Sequence, residues 1–274
     1  MFSPIDHPSE GKSMAIVRRP AVAGMFYPAE RGKLQAMVGD FLSQAKSAGS
    51  VPKAIIAPHA GFIYSGAVAA SAYALLAPAR NTITRVVLLG PAHRVPLRGL
   101  ALPIADRLAT PLGEIPVDAD AVARITDLPQ VQIIDQVHSD EHSLEVHLPF
   151  LQMILDDFSV VPLAVGDATP EEVGEVLERL WDGPETLIVI SSDLSHYHDY
   201  DTARELDNAT SRAIEQLRPQ DIGYDQACGR IPINGLLYVA RKRGMKAKTV
   251  DLRSSGDTAG PRDQVVGYGA YVFE

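Results

Sequence analysis

Apolar residues run without polar alternation at several places along the chain: AIIA at 54–57, RVVLLG at 85–90, SVVPLAVG at 159–166 and TLIVI at 186–190. Runs of this length, with no period-2 pattern, predict strands buried on both faces, as in a parallel sheet. Between them the pattern changes to that of helices. One helix is predicted over 31–44, a second over GAVAASAYALL at 66–76, and a third opens at Thr169 with cap, first-turn proline and acidic first turn, running to about 181. Further helices are predicted over 202–217 and 233–243, the last closed by Gly244. The Pro- and Gly-punctuated stretch 95–117 predicts short strands and loop, Asp118 or Asp120 caps a short helix through Ile125, and VQIID at 131–135 is a further short strand. KAKTVDLR and VVGYGAYVF close the sheet. No fixed-period repeat and no linker divides the chain, so residues 18–274 are expected to form one α/β domain. Residues 1–17, polar and Pro-containing, are expected to be a loose extension.

Three of the buried strands share an ending. The strand at 54–57 leads into Pro58-His59-Ala60-Gly61, that at 85–90 into Pro91-Ala92-His93, and that at 186–190 into SSDLSH, ending in His196. Each histidine follows its last aliphatic by about two to six residues. In open α/β sheets ligands bind outside the carboxyl ends of the strands, so three imidazoles in this relation predict one shared site.

The stretch HSDEHSLEVHLPFLQMIL carries His138, His142, Glu145 and His147 ahead of a helical pattern that Pro149 either starts or kinks. His142 and Glu145, three apart, are placed to share a helical face. The spacing H-x-x-E-x-H is one residue longer than the H-x-x-E-H signature, which disfavours a zinc hydrolase. The lone cysteine, Cys228, lies in a polar Ala-Cys-Gly-Arg segment at a predicted helix entrance, where the backbone dipole and Arg230 favour thiolate. Two imidazoles and a thiolate make a three-ligand site for iron, copper or zinc with an open position.

Charge narrows the partners. A formal net charge of −9 argues against nucleic acid as the main partner, and Arg241-Lys242-Arg243 reads as a helix end. One cysteine forbids an internal disulfide, and neither an N-terminal signal h-region nor a membrane-spanning run stands out, so a cytoplasmic setting away from membranes is expected.

The motifs IIAPHAGFIYSG, LLGPAHRVPL, DEHSLEVHLPF, VISSDLSHY and ACGRIPI, in this order, closely resemble the MEMO family, whose bacterial and archaeal members are labelled AmmeMemoRadiSam system protein B. The resemblance implies a three-layer α/β/α sandwich around one central, mostly parallel or mixed sheet, similar to LigB-type class III extradiol dioxygenases. It implies a metal site at His59, His93 and Cys228, with Asp193 and His196 in the same cleft. Cys228 then stands where those dioxygenases use a carboxylate. On this expectation His196 donates or accepts a proton, Asp193 orients that ring or acts as a base, and Glu145, His147 and His142 partner the ring nitrogens that face away from the ion. The function expected is a metal-dependent redox protein or oxidoreductase. The alternative is a catalytically inactive dioxygenase relative that binds a small-molecule or peptide ligand in the same cleft. The family label also implies association with AMMECR1-type and radical SAM proteins.

Overall fold

The computed structural model describes residues 14–46 and 48–274; most of the expected N-terminal extension lies outside the described residues. In chain order the strands are β1 (Val17–Arg18), β2 (Ala54–Ala57), β3 (Arg85–Pro91), β4 (Leu100–Leu102), β5 (Arg107–Thr110), β6 (Gly113–Pro116), β7 (Val131–Ile133), β8 (Ser159–Val165), β9 (Thr186–Ser191), β10 (His196–His198), β11 (Ala247–Ser254) and β12 (Val265–Phe273). The helices are α1 (Arg31–Gln44), α2 (Phe62–Tyr73), α3 (Ala119–Ala123), α4 (Asp135–Ser139), α5 (Leu148–Ile154), α6 (Pro170–Arg179), α7 (Tyr200–Glu215) and α8 (Arg230–Lys242). Ordered pairing begins ahead of residue 18, because Val17 already pairs in parallel with Arg107 and β1, β5 and β6 form a small side sheet.

The large sheet is mixed, in the order β10-β12-β2-β9-β3-β8-β4-β7, with β11 paired to β12. Its centre, β2-β9-β3-β8, is parallel, whereas β4 and β12 join antiparallel. Successive side chains on a strand point to opposite faces, and both faces are buried here. Ile55, Val86, Leu88, Leu187 and Val189 pack on one side with Leu34 and Val38 of α1, Val68 of α2 and Phe150 of α5. Ile56, Val87, Leu89, Ile188 and Ile190 pack on the other with Val173 and Leu177 of α6, Ile214 of α7 and Leu236 of α8. The result is the three-layer α/β/α sandwich. Thr169 caps α6 with a full capping box to Glu172, an arrangement that contributes about 1 kcal/mol.

One element departs from the expectation about membranes. Phe62–Ala79, α2 and the 3-10 turn after it, is long and apolar enough to cross a bilayer by length and composition, but 67% of it is buried inside the fold. Its hydrophobicity is that of a core helix packed between α1 and the sheet. The proposed shared helical face of His142 and Glu145 is also absent. Pro149 sits in the first turn of α5, where its missing N–H is harmless, and Glu145–His147 form a separate 3-10 turn, leaving His142 outside the helix.

Two buried histidines outside the strand ends make the fold sensitive to acid. Burial alone holds His147 down to about 3, with its Nδ1 against the Tyr73 hydroxyl at 2.8 Å. Burial holds His138 at about 4, its Nε2–H donating to the Ala101 carbonyl at 2.9 Å. Both rings stay neutral in the native state but protonate near pH 6.5 once unfolded, so the stability they allow is complete above that pH and is lost as pH falls from it toward 4. The midpoint of urea unfolding is expected to drop steadily from pH 7 to pH 4.5, and His147→Gln to flatten that slope. A slope unchanged in the variant would remove His147 from the account.

Candidate metal centre

Because β2, β9 and β3 are parallel neighbours, their carboxyl ends open on one edge of the sheet. His59 follows β2, His93 follows β3, and the Ser191–His196 segment follows β9 between them. The segment carrying His142 is pinned to the same edge. Ser143 Oγ donates to the Pro91 carbonyl at 2.8 Å, and Ser191 Oγ donates to the Ser143 carbonyl at 2.6 Å. Gly90 permits this approach, since a Cβ there would lie 2.9 Å from Ser143 Oγ and 3.0 Å from Leu144 Cδ2.

Among the described residues, His59, His93 and His142 form a cluster in which one ligand atom from each lies within 4.8 Å of the others. The rings of His93 and His142 stack at 4.7 Å and 12°, and His59 meets both edge-on. Hydrogen bonding assigns two of the tautomers. The single hydroxyl proton of Ser191 is given to Ser143, so at the 2.6 Å contact His59 Nδ1–H is the donor to Ser191 Oγ. His93 Nδ1–H donates to Glu141 Oε1 at 2.9 Å, because a carboxylate only accepts. In the neutral form of both rings Nε2 is then the lone pair, the form in which imidazole binds a metal, with the outer nitrogen held by an oxygen. His142 Nδ1 is buried with no hydrogen-bond partner, an orphaned acceptor or donor beside the other two rings. Burial, then the neighbouring imidazoles, pushes His59 well below its usual value, and burial with His93 brings His142 to about 4. Both shifts favour the neutral, cation-accepting form of His59 and His142.

Cys228 adjoins the cluster without being one of its three members. Its Sγ lies 3.4 Å from His59 Nε2 and accepts from the Asp193 N–H at 3.3 Å. Two features of its expected environment are corrected. Burial and then the Asp193 carboxylate push the thiol up to about 12, so no thiolate is favoured before a cation arrives, and a bound cation would act in the opposite sense. Arg230, expected to lower that value, instead stacks its guanidinium on the Tyr224 ring at 3.6 Å. The Cys228 loop reaches β9 only because Gly229 has no side chain: a Cβ there would lie 2.4 Å from the Ser191 carbonyl oxygen and 2.6 Å from Ser192 Cβ. Gly229→Val is expected to cost roughly 1–3 kcal/mol by overpacking and to expose the thiol. Urea unfolding and the rate of thiol labelling check this; an unchanged labelling rate would contradict it.

Asp193 does not orient His196. Its Oδ1 accepts from the His59 backbone N–H at 2.8 Å, while Oδ2 lies 3.9 Å from His59 Nε2, and burial raises its carboxyl to about 7. His196 is held instead by its own backbone, Nδ1–H donating to the Leu194 carbonyl at 2.8 Å. Burial lowers its basicity, so it presents a neutral Nε2 to the cleft. Two expected partners of the metal rings lie elsewhere. The Glu145 carboxylate binds Arg18, Tyr27 and the backbone of Ala21 and Val22, and His147 pairs with Tyr73 in the core.

The residue that does the expected work is Glu141, which sequence reasoning passed over. Besides the His93 ring, it accepts from the His93 N–H at 2.6 Å and the Ser143 N–H at 2.9 Å. Burial raises its carboxyl, but the His93 hydrogen bond and charge and the two backbone donors outweigh this and bring it to about 2. The available signal was a carboxylate adjacent to a candidate ligand histidine, the combination a metal-bound imidazole needs. Ser143, Ser191, Arg94, Tyr197 and Tyr224 were also unflagged. The cluster, Cys228, Asp193 and His196 line a common cavity of about 670 Å³.

A family model described as Memo-like protein matches residues 18–272. The chain is 36% identical over 273 residues to a MEMO1 family protein of Archaeoglobus fulgidus, covering 94% of this chain and 99% of that protein. It is 35% identical over 272 residues to a MEMO1 family protein of Aquifex aeolicus, with coverage of 94% and 99%. Among solved structures, an uncharacterized protein from Escherichia coli K12 superposes with a TM-score of 0.50 at 14% identity, covering 80% of this chain and 98% of that one. That likeness concerns the fold alone.

Proposed function

For a chain that belongs to the Memo-like family, we propose that the histidine cluster holds one transition-metal ion and that the protein is a metal-dependent redox protein acting on a small-molecule or peptide ligand in the cleft. The observation that carries this reading is the pair of fixed tautomers. His59 and His93 each anchor Nδ1–H on an oxygen and turn Nε2 to the cluster, beside His142, whose Nδ1 lies 3.5 Å from Glu141 Oε1 but makes no hydrogen bond. A donor set of imidazoles with a thiol at its edge suits iron or copper, with zinc the third choice. Such an ion supplies Lewis acidity and, for iron or copper, one-electron chemistry.

The chain's own residues have separate tasks. His59, His93 and His142 present imidazole donors, and Cys228 offers a sulfur 3.4 Å from His59 Nε2. Glu141 and Ser191 hold the rings in register. His196 Nε2, free because Nδ1–H is committed to Leu194, accepts a proton from a bound ligand. The backbone donors on Asp193 fix the turn after β2.

The test is metal analysis of protein purified without oxygen, for wild type, His59→Ala, His142→Ala and Cys228→Ala, followed by oxygen uptake with the reduced metal. Loss of metal in the two histidine variants, with uptake by the wild type that His196→Ala abolishes while keeping its metal, supports the reading. Equal metal content in all four proteins would overturn the site. Metal retention with no uptake would leave a binding protein and overturn the redox assignment.

A further inference from the structure

The mouth of the cleft carries a charge that nothing in the chain uses. Arg94 directly follows His93 and lines the same cavity as the cluster. It is the one lysine or arginine on that lining, and its side chain makes no hydrogen bond or ion pair among the described residues. Arg18, Arg80, Arg85, Arg124, Arg179 and Arg253 are each held by a carboxylate, and of the arginines that form no ion pair among the described residues Arg94 is the one on the lining of this cavity. Arg94 lies close enough to His142 to disfavour protonation of that ring. Asp225, an exposed carboxylate on the same lining, forms no ion pair with it. Asp193, deeper in, is occupied by the backbone of His59.

The same cavity has exposed flat walls. Tyr197 is 71% exposed and Tyr224 is 80% exposed, although both line the chamber. Tyr197 is held at φ 61°, in the left-handed region that costs a non-glycine residue of order 1 kcal/mol or more. Strain at a bulky residue persists where the surroundings impose it, and here it sets a phenol ring on the wall of the cavity. The Tyr224 ring is backed by the Arg230 guanidinium, which fixes its plane.

Resting on the reading of this cleft as a ligand chamber, we propose that Arg94 is the anion-binding residue of the site and that its ligand is a small organic acid, carrying a carboxylate or phosphate group on a flat body that lies against the tyrosine walls. The guanidinium fork matches either oxyanion and is always charged. The histidine cluster and Arg94 line one cavity, so a resident metal and Arg94 would mark the two ends of the ligand: a Lewis-acid end at the cluster and an anion end at the exposed arginine. An uncharged ligand of the same shape leaves the arginine unanswered.

The test titrates benzoate, phenyl phosphate and uncharged benzyl alcohol into wild type, Arg94→Gln, Arg94→Lys and Arg98→Gln by calorimetry, in metal-free and iron-loaded protein, with metal content measured for each. At least one of the two anions is expected to bind and benzyl alcohol to bind more weakly. Arg94→Gln is expected to lose about tenfold or more in affinity for the anion, in both metal states, with metal content unchanged; Arg94→Lys keeps part of the affinity and Arg98→Gln all of it. A preference for benzoate or for phenyl phosphate assigns the group. Binding of neither anion, equal binding to Arg94→Gln, or an equal loss in Arg98→Gln would overturn the proposal. Metal content is read separately, so a failed anion site with metal retained is distinct from a failed metal site.

Discussion

Glu145→Ala is expected to lower the free energy of unfolding by about 3–5 kcal/mol, the range for removing one partner of a buried ion pair. The carboxylate is fully enclosed and accepts four donors: Arg18 Nη1 at 2.6 Å, the Ala21 N–H at 2.7 Å, the Val22 N–H at 3.0 Å and the Tyr27 hydroxyl at 2.6 Å. Truncation leaves a guanidinium that is 11% exposed with only backbone carbonyls, those of His138 and Glu141 among them, as partners, and removes the acceptor from a buried phenol and two backbone N–H groups. The unmet donors outweigh the lost contacts, because each buried unsatisfied group costs about 1–3 kcal/mol. Glu145→Gln keeps the shape and one acceptor, and should fall between the two. The arm that Glu145 ties down also carries Phe26, whose ring meets His142 at 4.7 Å and whose carbonyl accepts from Phe62 N–H. Loosening the arm should therefore disturb His142 as well as the fold. Urea unfolding at pH 7 measures the effect; a loss below 1 kcal/mol in the alanine variant would show that the arm is held by packing alone.

The sheet was legible because its strands are short, uniformly apolar and bounded by proline, glycine or a polar switch, and because parallel strands need both faces covered. The same reading put His59 and His93 at one sheet edge, since the carboxyl ends of parallel neighbours must coincide. Thr169 announced its helix start through local chemistry alone, whereas Pro149 left a start and a kink open. What stayed illegible depends on contacts between distant segments. His142 reaches the cluster through two serine hydrogen bonds to strands about fifty residues away in sequence, and no local pattern encodes that distance. The protonation of Cys228 is set by burial and by Asp193, neither of which a tetrapeptide reveals; Arg230 beside it in sequence turns its charge toward Tyr224 instead. The roles expected for Glu145 and Glu141 are exchanged for a comparable reason. Both stand near the histidines in sequence, but the 3-10 turn aims Glu145 at Arg18 and the arm, and leaves Glu141 facing His93.

Glu141→Gln is expected to weaken metal binding by about 10–100-fold, the usual effect of removing the carboxylate that holds a ligand histidine. Three donors converge on the two oxygens of Glu141: His93 Nδ1–H and Ser143 N–H on Oε1, and His93 N–H on Oε2. Glutamine offers one oxygen and one amide nitrogen, so whichever way it turns, an N–H faces another N–H. If the amide displaces the ring, His93 loses both its tautomer lock and the anion that strengthens it as a donor. If it displaces the backbone, the turn carrying His93 away from β3 opens. Either result moves one Nε2 out of a cluster whose ligand atoms must lie within 4.8 Å. The substituted side chain is nearly isosteric and neutral, so the fold should persist, and loss of affinity can be separated from unfolding by circular dichroism on the same samples. Chelator competition for iron and copper gives the affinities. A variant that binds both as tightly as wild type would mean that the His93 ring is positioned by its stack on His142 and by the chain at the end of β3, with the carboxylate a bystander.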